Sequence, residues 1–187
     1  MASVLVPLAQ GCEELEAVTI IDLLRRADIE VTTAGLDAQP VTASHGVTLI
    51  PDTTLDDALK KEYDMVVLPG GLPGADHLEQ DDRIQNLLKK MANNGKLTAA
   101  ICAAPKILAN AGLLDGKRAT AYPGTLEKLQ LDNITLEPSP VIKDGNIITS
   151  RGPGTAMDFA LVLIENLVGV EKREEIETEL VRTYTTA

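Results

Sequence analysis

Cysteine chemistry is the first that the sequence suggests. Cys102 lies in "AAICAAP", where an apolar run passes at once into Ala-Ala-Pro and a helix-like pattern. Small residues two positions either side of a thiol at a strand-to-helix corner are the steric pattern of a nucleophile elbow, with alanines where hydrolases of this type carry glycines. A helix that follows the corner points its free amides at the sulfur, which favours thiolate and lowers its pKa. The same string also reads as a small buried filler, because cysteine is among the most buried residue types.

Other groups could work with such a thiol. Glu13, Glu14 and Glu16 open the first helix, where carboxylates interact well with the helix dipole. If two of them face solvent, the spacing from Glu13 to Glu16 lets one of the three turn toward the sheet end. A carboxyl kept protonated by burial can share a proton with a nearby sulfur. "PGGLPG" offers the unobstructed backbone amides of Gly70 and Gly71 to an oxyanion, or is only a tight turn. It lacks the Lys-Ser/Thr ending of a P-loop, so phosphate is disfavoured. In "SRGPGT", Pro153 marks a helix start, and Arg151 either binds an anion or pairs with an acid. The two histidines, His45 and His77, have no local context of a catalytic base and read as surface residues. Cys12, in "QGCEE", also falls on a corner and reads as a spectator.

These residues need elements to position them. "SVLVPLA" reads as a buried strand, and "EELEAVTIIDLLRRA" places Leu15, Val18, Ile21 and Leu24 on a broad apolar helical face. "IEVTTAGL" is a second strand, "VTASHGVTLI" an added hairpin or edge, and "LDDALKK" a brief helix. "DMVVLPGG" repeats the strand-and-turn theme. "DDRIQNLLKKMANNG" is a helix started by aspartates and stopped by Asn94-Gly95. After the Cys102 corner come a strand at "RATAYP", a hairpin about Asp144-Gly145 in "VIKDGNIITS", and two final helices, the first apolar nearly all round. Alternating strands and helices with continuous apolar strands predict a mostly parallel sheet covered on both faces, with ligands at the carboxyl ends of the strands. No linker-like segment interrupts residues 1–187, which predicts one domain.

The net charge of -11 speaks against strong binding to nucleic acid or anionic membrane, since such proteins need a basic surface to displace counterions. No segment approaches a membrane span, and the start has no basic n-region of a signal peptide. Two cysteines fit no zinc spacing and no disulfide framework, which predicts a reducing compartment, the cytoplasm. Aromatic residues are scarce, so the core must be built from Val, Leu, Ile and Ala packed between layers.

Taken together, "GCEELEAV", "LRRADIEVTTAGL", "YDMVVLPGGLPGA", "AAICAAP" and "KDGNIITSRGPGTAMDFAL" resemble the ThiJ/PfpI family, in its parkinsonism-associated protein deglycase branch, over nearly the whole chain. The resemblance implies a flavodoxin-like three-layer α/β/α sandwich, usually homodimeric. It implies Cys102 as a low-pKa cysteine, Glu16 as the carboxylic acid hydrogen-bonded to it, and the amides of Gly71 and Ala103 as an oxyanion pocket. Relatives that hydrolyse peptides carry a histidine directly after the cysteine. Ala103 stands there, which disfavours classical proteolysis. A site histidine of some relatives corresponds to Tyr122, and a site arginine near their dimer contact to His45.

The expected activity is therefore that of a reactive-carbonyl defence enzyme needing no cofactor or metal. It would act as a glyoxalase on methylglyoxal or glyoxal, or as a deglycase on glycated protein side chains. The alternative makes Cys102 a redox sensor, oxidised to sulfinate in a chaperone or signalling dimer. A binding module without chemistry is the third reading.

Overall fold

A computed structural model describes residues 1–129, 131 and 133–182. Strand β1 (Ser3–Leu8) leads into helix α1 (Glu14–Arg26), and β2 (Glu30–Gly35) returns beside β1. A small antiparallel hairpin follows, β3 (Val41–Thr42) with β4 (Thr48–Leu49), as expected of "VTASHGVTLI". Next come β5 (Thr53–Thr54), α2 (Leu55–Ala58), β6 (Met65–Leu68), α3 (Gly74–Gln80), α4 (Asp82–Asn93), β7 (Leu97–Ile101) and α5 (Pro105–Asn110). The remainder is β8 (Arg118–Ala119), β9 (Thr135–Leu136), β10 (Val141–Asp144), β11 (Ile147–Ser150), α6 (Ala156–Val168) and α7 (Val170–Glu179).

The main sheet has seven strands in the order β10-β11-β7-β6-β1-β2-β5, all parallel except β10, which forms the Asp144-Gly145 hairpin with β11. "RATAYP" yields only the two-residue β8. It pairs with β9 outside the main sheet, because Tyr122 turns away to hydrogen-bond the Cys102 carbonyl instead of continuing a ladder.

Strand side chains alternate between faces with a period of two. Val4, Val6, Met65, Val67, Ala99 and Ile101 pack with α1, α6 and α7, including the fully buried Phe159. Leu5, Val66, Leu68 and Ala100 pack on the other face with α2 to α5. Each large apolar side chain so buried contributes about 1.5–3 kcal/mol. The result is an α/β/α sandwich with a parallel core, as the apolar strands predict. Among the described residues no helix is long and apolar enough to cross a membrane.

Helix ends fall where the capping chemistry puts them. The Glu13 side chain caps α1, Thr54 caps α2 and Asp81 caps α4, each accepting from a backbone N–H of the first turn. Pro105 opens α5, where a missing N–H costs nothing. The chain runs from β1 to β2 on one side and later to β6 on the other, so the strand order reverses between β1 and β6. Such a reversal opens a crevice at the carboxyl ends of the strands.

Candidate active site

Three loops meet at that crevice, after β1, β6 and β7. Cys102 directly follows β7 and has a φ of +62°, a left-handed conformation that costs a non-glycine residue about 1–3 kcal/mol. Its backbone is pinned on both sides: its N–H donates to the Ser150 carbonyl at 3.0 Å, and its carbonyl accepts from the Tyr122 N–H at 2.9 Å. The strained turn holds the half-buried thiol at the strand's end, as the small neighbours predict.

Glu16 is the carboxylate that turns inward. Glu13 and Glu14 face the β3–β4 hairpin, while Glu16, one helical turn on, is fully buried. Its Oε2 accepts from the Gly70 N–H at 2.8 Å, and its Oε1 is buried without a hydrogen-bond partner of good geometry. Burial raises the carboxyl to about 7, although the Gly70 N–H and the Cys102 thiol both favour its charged form. A carboxyl titrating there can hold or release a proton near neutral pH.

The glycines of "PGGLPG" make this proximity possible. A Cβ on Gly70 would stand 2.6 Å from the Cys102 Cβ and 2.8 Å from Glu16 Oε2. Gly71 has a φ of +87°, and a Cβ there would meet the Glu13 nitrogen at 2.3 Å. Only bare backbone lets the β6 loop pass between the other two. The N–H groups of Gly71 and Ala103 then donate to the Cys102 sulfur, the pair expected as an oxyanion pocket. Gly70, grouped with them from the sequence, instead spends its N–H on Glu16.

The expected low thiol pKa is not what this environment produces. Burial, the Glu16 charge and the Glu16 hydrogen bond push Cys102 up to about 12, and the two N–H groups only partly offset them. Helix-end amides were the legible part of the balance; burial beside a carboxylate was not. The two groups titrate as one coupled unit, and a proton moved from sulfur to Glu16 removes the charge that opposes the thiolate.

A cavity of about 650 Å³ opens onto Cys102 and Ala103 and is also lined by Gly71, Glu13, His45 and Tyr122. Tyr122 is 53% exposed at its wall, available to a ligand. Arg151 is not part of it. It lines a separate cavity with Thr120 and Glu137, because the β11–α6 turn, pinned by the Arg151 N–H on the Pro140 carbonyl, carries it there. His77 also lies elsewhere, with Nδ1 3.0 Å from the Gln10 carbonyl. Cys12 is fully buried, and burial pushes its thiol up to about 11. Its backbone packs against Gly71 and Gly74, which fits a spectator that shapes the loop.

Sequence reasoning missed the role of the hairpin tip. Ser44 Oγ lies 3.1 Å from Glu13 Oε2 and 3.0 Å from Glu14 Oε2, and the His45 N–H donates to Glu14 Oε1 at 2.9 Å. Against the opposing effect of burial, backbone N–H groups, Ser44 and His45 hold the Glu14 carboxyl down at about 2. These contacts join residues about thirty positions apart, so no local pattern announces them.

Comparison with known proteins places the chain among relatives of the same fold. The chain is 46% identical to "Protein DJ-1 homolog A" of Arabidopsis thaliana over 95% of its own length and 46% of the relative's, so it spans under half of that protein. It is 34% identical to "Glutathione-independent glyoxalase DJR-1.2" of Caenorhabditis elegans, over 94% of this chain and 92% of the relative. The crystal structure of Drosophila melanogaster DJ-1beta superposes with a TM-score of 0.92 at 45% identity, covering 98% of this chain and 99% of that one. With residues 2–166 also matching the DJ-1/PfpI family model, the chain belongs to the DJ-1/PfpI family.

Proposed function

We propose that this chain is a cofactor-free, cysteine-dependent enzyme of reactive-carbonyl defence, a glyoxalase that converts methylglyoxal or glyoxal to a 2-hydroxy acid. The observation that carries the proposal is the Cys102 sulfur at the cavity wall, receiving two backbone N–H groups beside a buried carboxyl that titrates near neutrality. The name of the C. elegans relative supports the reaction class.

In the reactive form Glu16 holds the proton and Cys102 is thiolate. Sulfur attacks the aldehyde carbon, a C–S bond forms, and the carbonyl π pair moves to oxygen. The Gly71 and Ala103 N–H groups stabilise that oxyanion, and Glu16 protonates it. As carboxylate, Glu16 then removes the hydrogen from the thiol-bearing carbon and returns it to the neighbouring carbon. The resulting thioester is hydrolysed by water to lactate or glycolate, and the Cys102–Glu16 pair regains its single shared proton. The same steps on an early adduct of methylglyoxal with a protein side chain would constitute deglycation. A homodimer in the cytoplasm is the expected setting, carried by the family resemblance and by the reduced cysteines.

Turnover of methylglyoxal by wild type and Cys102→Ser at matched folding tests the proposal. Loss of activity in the variant is expected. Equal turnover refutes it, and peroxide oxidation of Cys102 to sulfinate then becomes the better use of the same geometry.

A further inference from the structure

The isomerisation moves a proton between two oxygens as well as a hydrogen between two carbons. Glu16 carries the carbon-bound hydrogen, but the ketone oxygen must also gain a proton and the former aldehyde oxygen must lose one. His45 lines the same cavity as Cys102. Its Nδ1 lies 3.3 Å from Glu14 Oε2 and 3.4 Å from Glu13 Oε2, with Ser44 Oγ at 3.1 Å. Two carboxylates beside Nδ1 favour the tautomer with the proton on that nitrogen. Nε2 has no protein partner among the described residues and is left for a ligand. A histidine oriented by a carboxylate and facing a nucleophile's cavity is the arrangement of a general acid–base catalyst.

Resting on the function proposed above, we infer that His45, held by Glu13 and Glu14, is a second acid–base catalyst of the carbonyl isomerisation. As Glu16 takes the hydrogen from the thiol-bearing carbon, the new carbon–carbon double bond pushes the ketone π pair onto oxygen, leaving an enolate. In the return step Nε2 accepts the proton of the remaining hydroxyl, its C=O reforms, the double-bond pair takes the hydrogen held by Glu16, and the Nε2–H then protonates the alkoxide left on the neighbouring carbon. His45 and Glu16 both end as they began, so no outside oxidant or reductant is needed. This role belongs to a residue in the β3–β4 turn, not to the position after the nucleophile, where Ala103 stands.

The test compares wild type, Cys102→Ser, His45→Asn and Glu14→Gln with methylglyoxal. His45 is a surface residue, its side chain 73% exposed, so His45→Asn should match wild type in thermal unfolding and in the rate of Cys102 alkylation by iodoacetamide. In that variant kcat should fall about 100-fold with KM little changed. Glu14→Gln weakens the hold on Nδ1 and should lower kcat in the same direction by a smaller factor. Wild-type kcat in His45→Asn, a loss confined to KM, or an unchanged kcat in Glu14→Gln overturns the assignment while Cys102-dependent turnover stands. Absence of Cys102-dependent turnover in wild type overturns the proposed function and this role together.

Discussion

Replacing Glu16 by glutamine should stabilise the fold and abolish its chemistry. The carboxyl is fully buried and raised from 4.5 to about 7, chiefly by loss of solvent. An acid whose folded-state value lies above its unfolded one binds its proton more tightly in the folded state. The stability it supplies is full below pH 4.5 and drains away as pH rises through about 7. At about 1.4 kcal/mol for each tenfold in proton affinity, the ionised carboxylate costs the fold about 3 kcal/mol above neutrality. Glutamine keeps a carbonyl oxygen for the Gly70 N–H and cannot ionise. Urea unfolding of wild type and Glu16→Gln from pH 5 to 9 should give similar midpoints at the acid end. The variant's advantage should grow to about 3 kcal/mol at the alkaline end, about 2–4 °C in Tm for each kcal/mol. Parallel stability profiles for the two proteins would refute the assignment of a raised, burial-dominated carboxyl.

Two further predictions concern the loop and the sulfur. Gly71→Ala places a Cβ against the Glu13 nitrogen and the Cys12 carbonyl carbon at a φ of +87°; it should cost about 2–4 kcal/mol in chemical denaturation and also lower turnover, because the N–H that faces the sulfur must shift. Between about 7 and about 12 the Cys102–Glu16 pair holds one proton, so the fraction with that proton on Glu16 is independent of pH. Iodoacetamide alkylation of Cys102 should therefore rise with pH up to about 7 and then level off, whereas a tenfold rise per pH step continuing to pH 10 would mark an uncoupled thiol.

What the sequence disclosed follows the range of the interactions involved. Cys102 was legible because its elbow is local: Ala100 and Ala104 flank the corner, β7 supplies the apolar run and Pro105 the helix start. The parallel sheet was legible from the continuous apolar stretches of β1, β6 and β7, whose side chains are covered on both faces. Glu16 was half-legible, since its spacing from Glu13 allows it to turn inward but does not say which of three carboxylates does so. Arg151 was misplaced because a turn sequence does not reveal the direction in which a long side chain leaves it. Ser44 and His45 join Glu13 and Glu14 across two loops, and only the folded chain creates that contact. The raised thiol was missed for the same reason, because burial depends on every layer packed over the site.

The unfavourable burial of Glu16 is itself an argument for chemistry at this corner. A structural role would be served as well by an uncharged side chain, since the one clear hydrogen bond the carboxylate makes, from Gly70, needs only a carbonyl oxygen. Its second oxygen is buried without a partner of good geometry, a loss that a packing role would not select. What a carboxyl does there, and an amide cannot, is exchange a proton with a sulfur that burial alone would keep protonated. The same proton that leaves sulfur is then held beside the oxygen that becomes negative when sulfur attacks. Stability surrendered at Glu16 and strain held at Cys102 are thus two parts of one device, and each should be recoverable by a substitution that also silences the site.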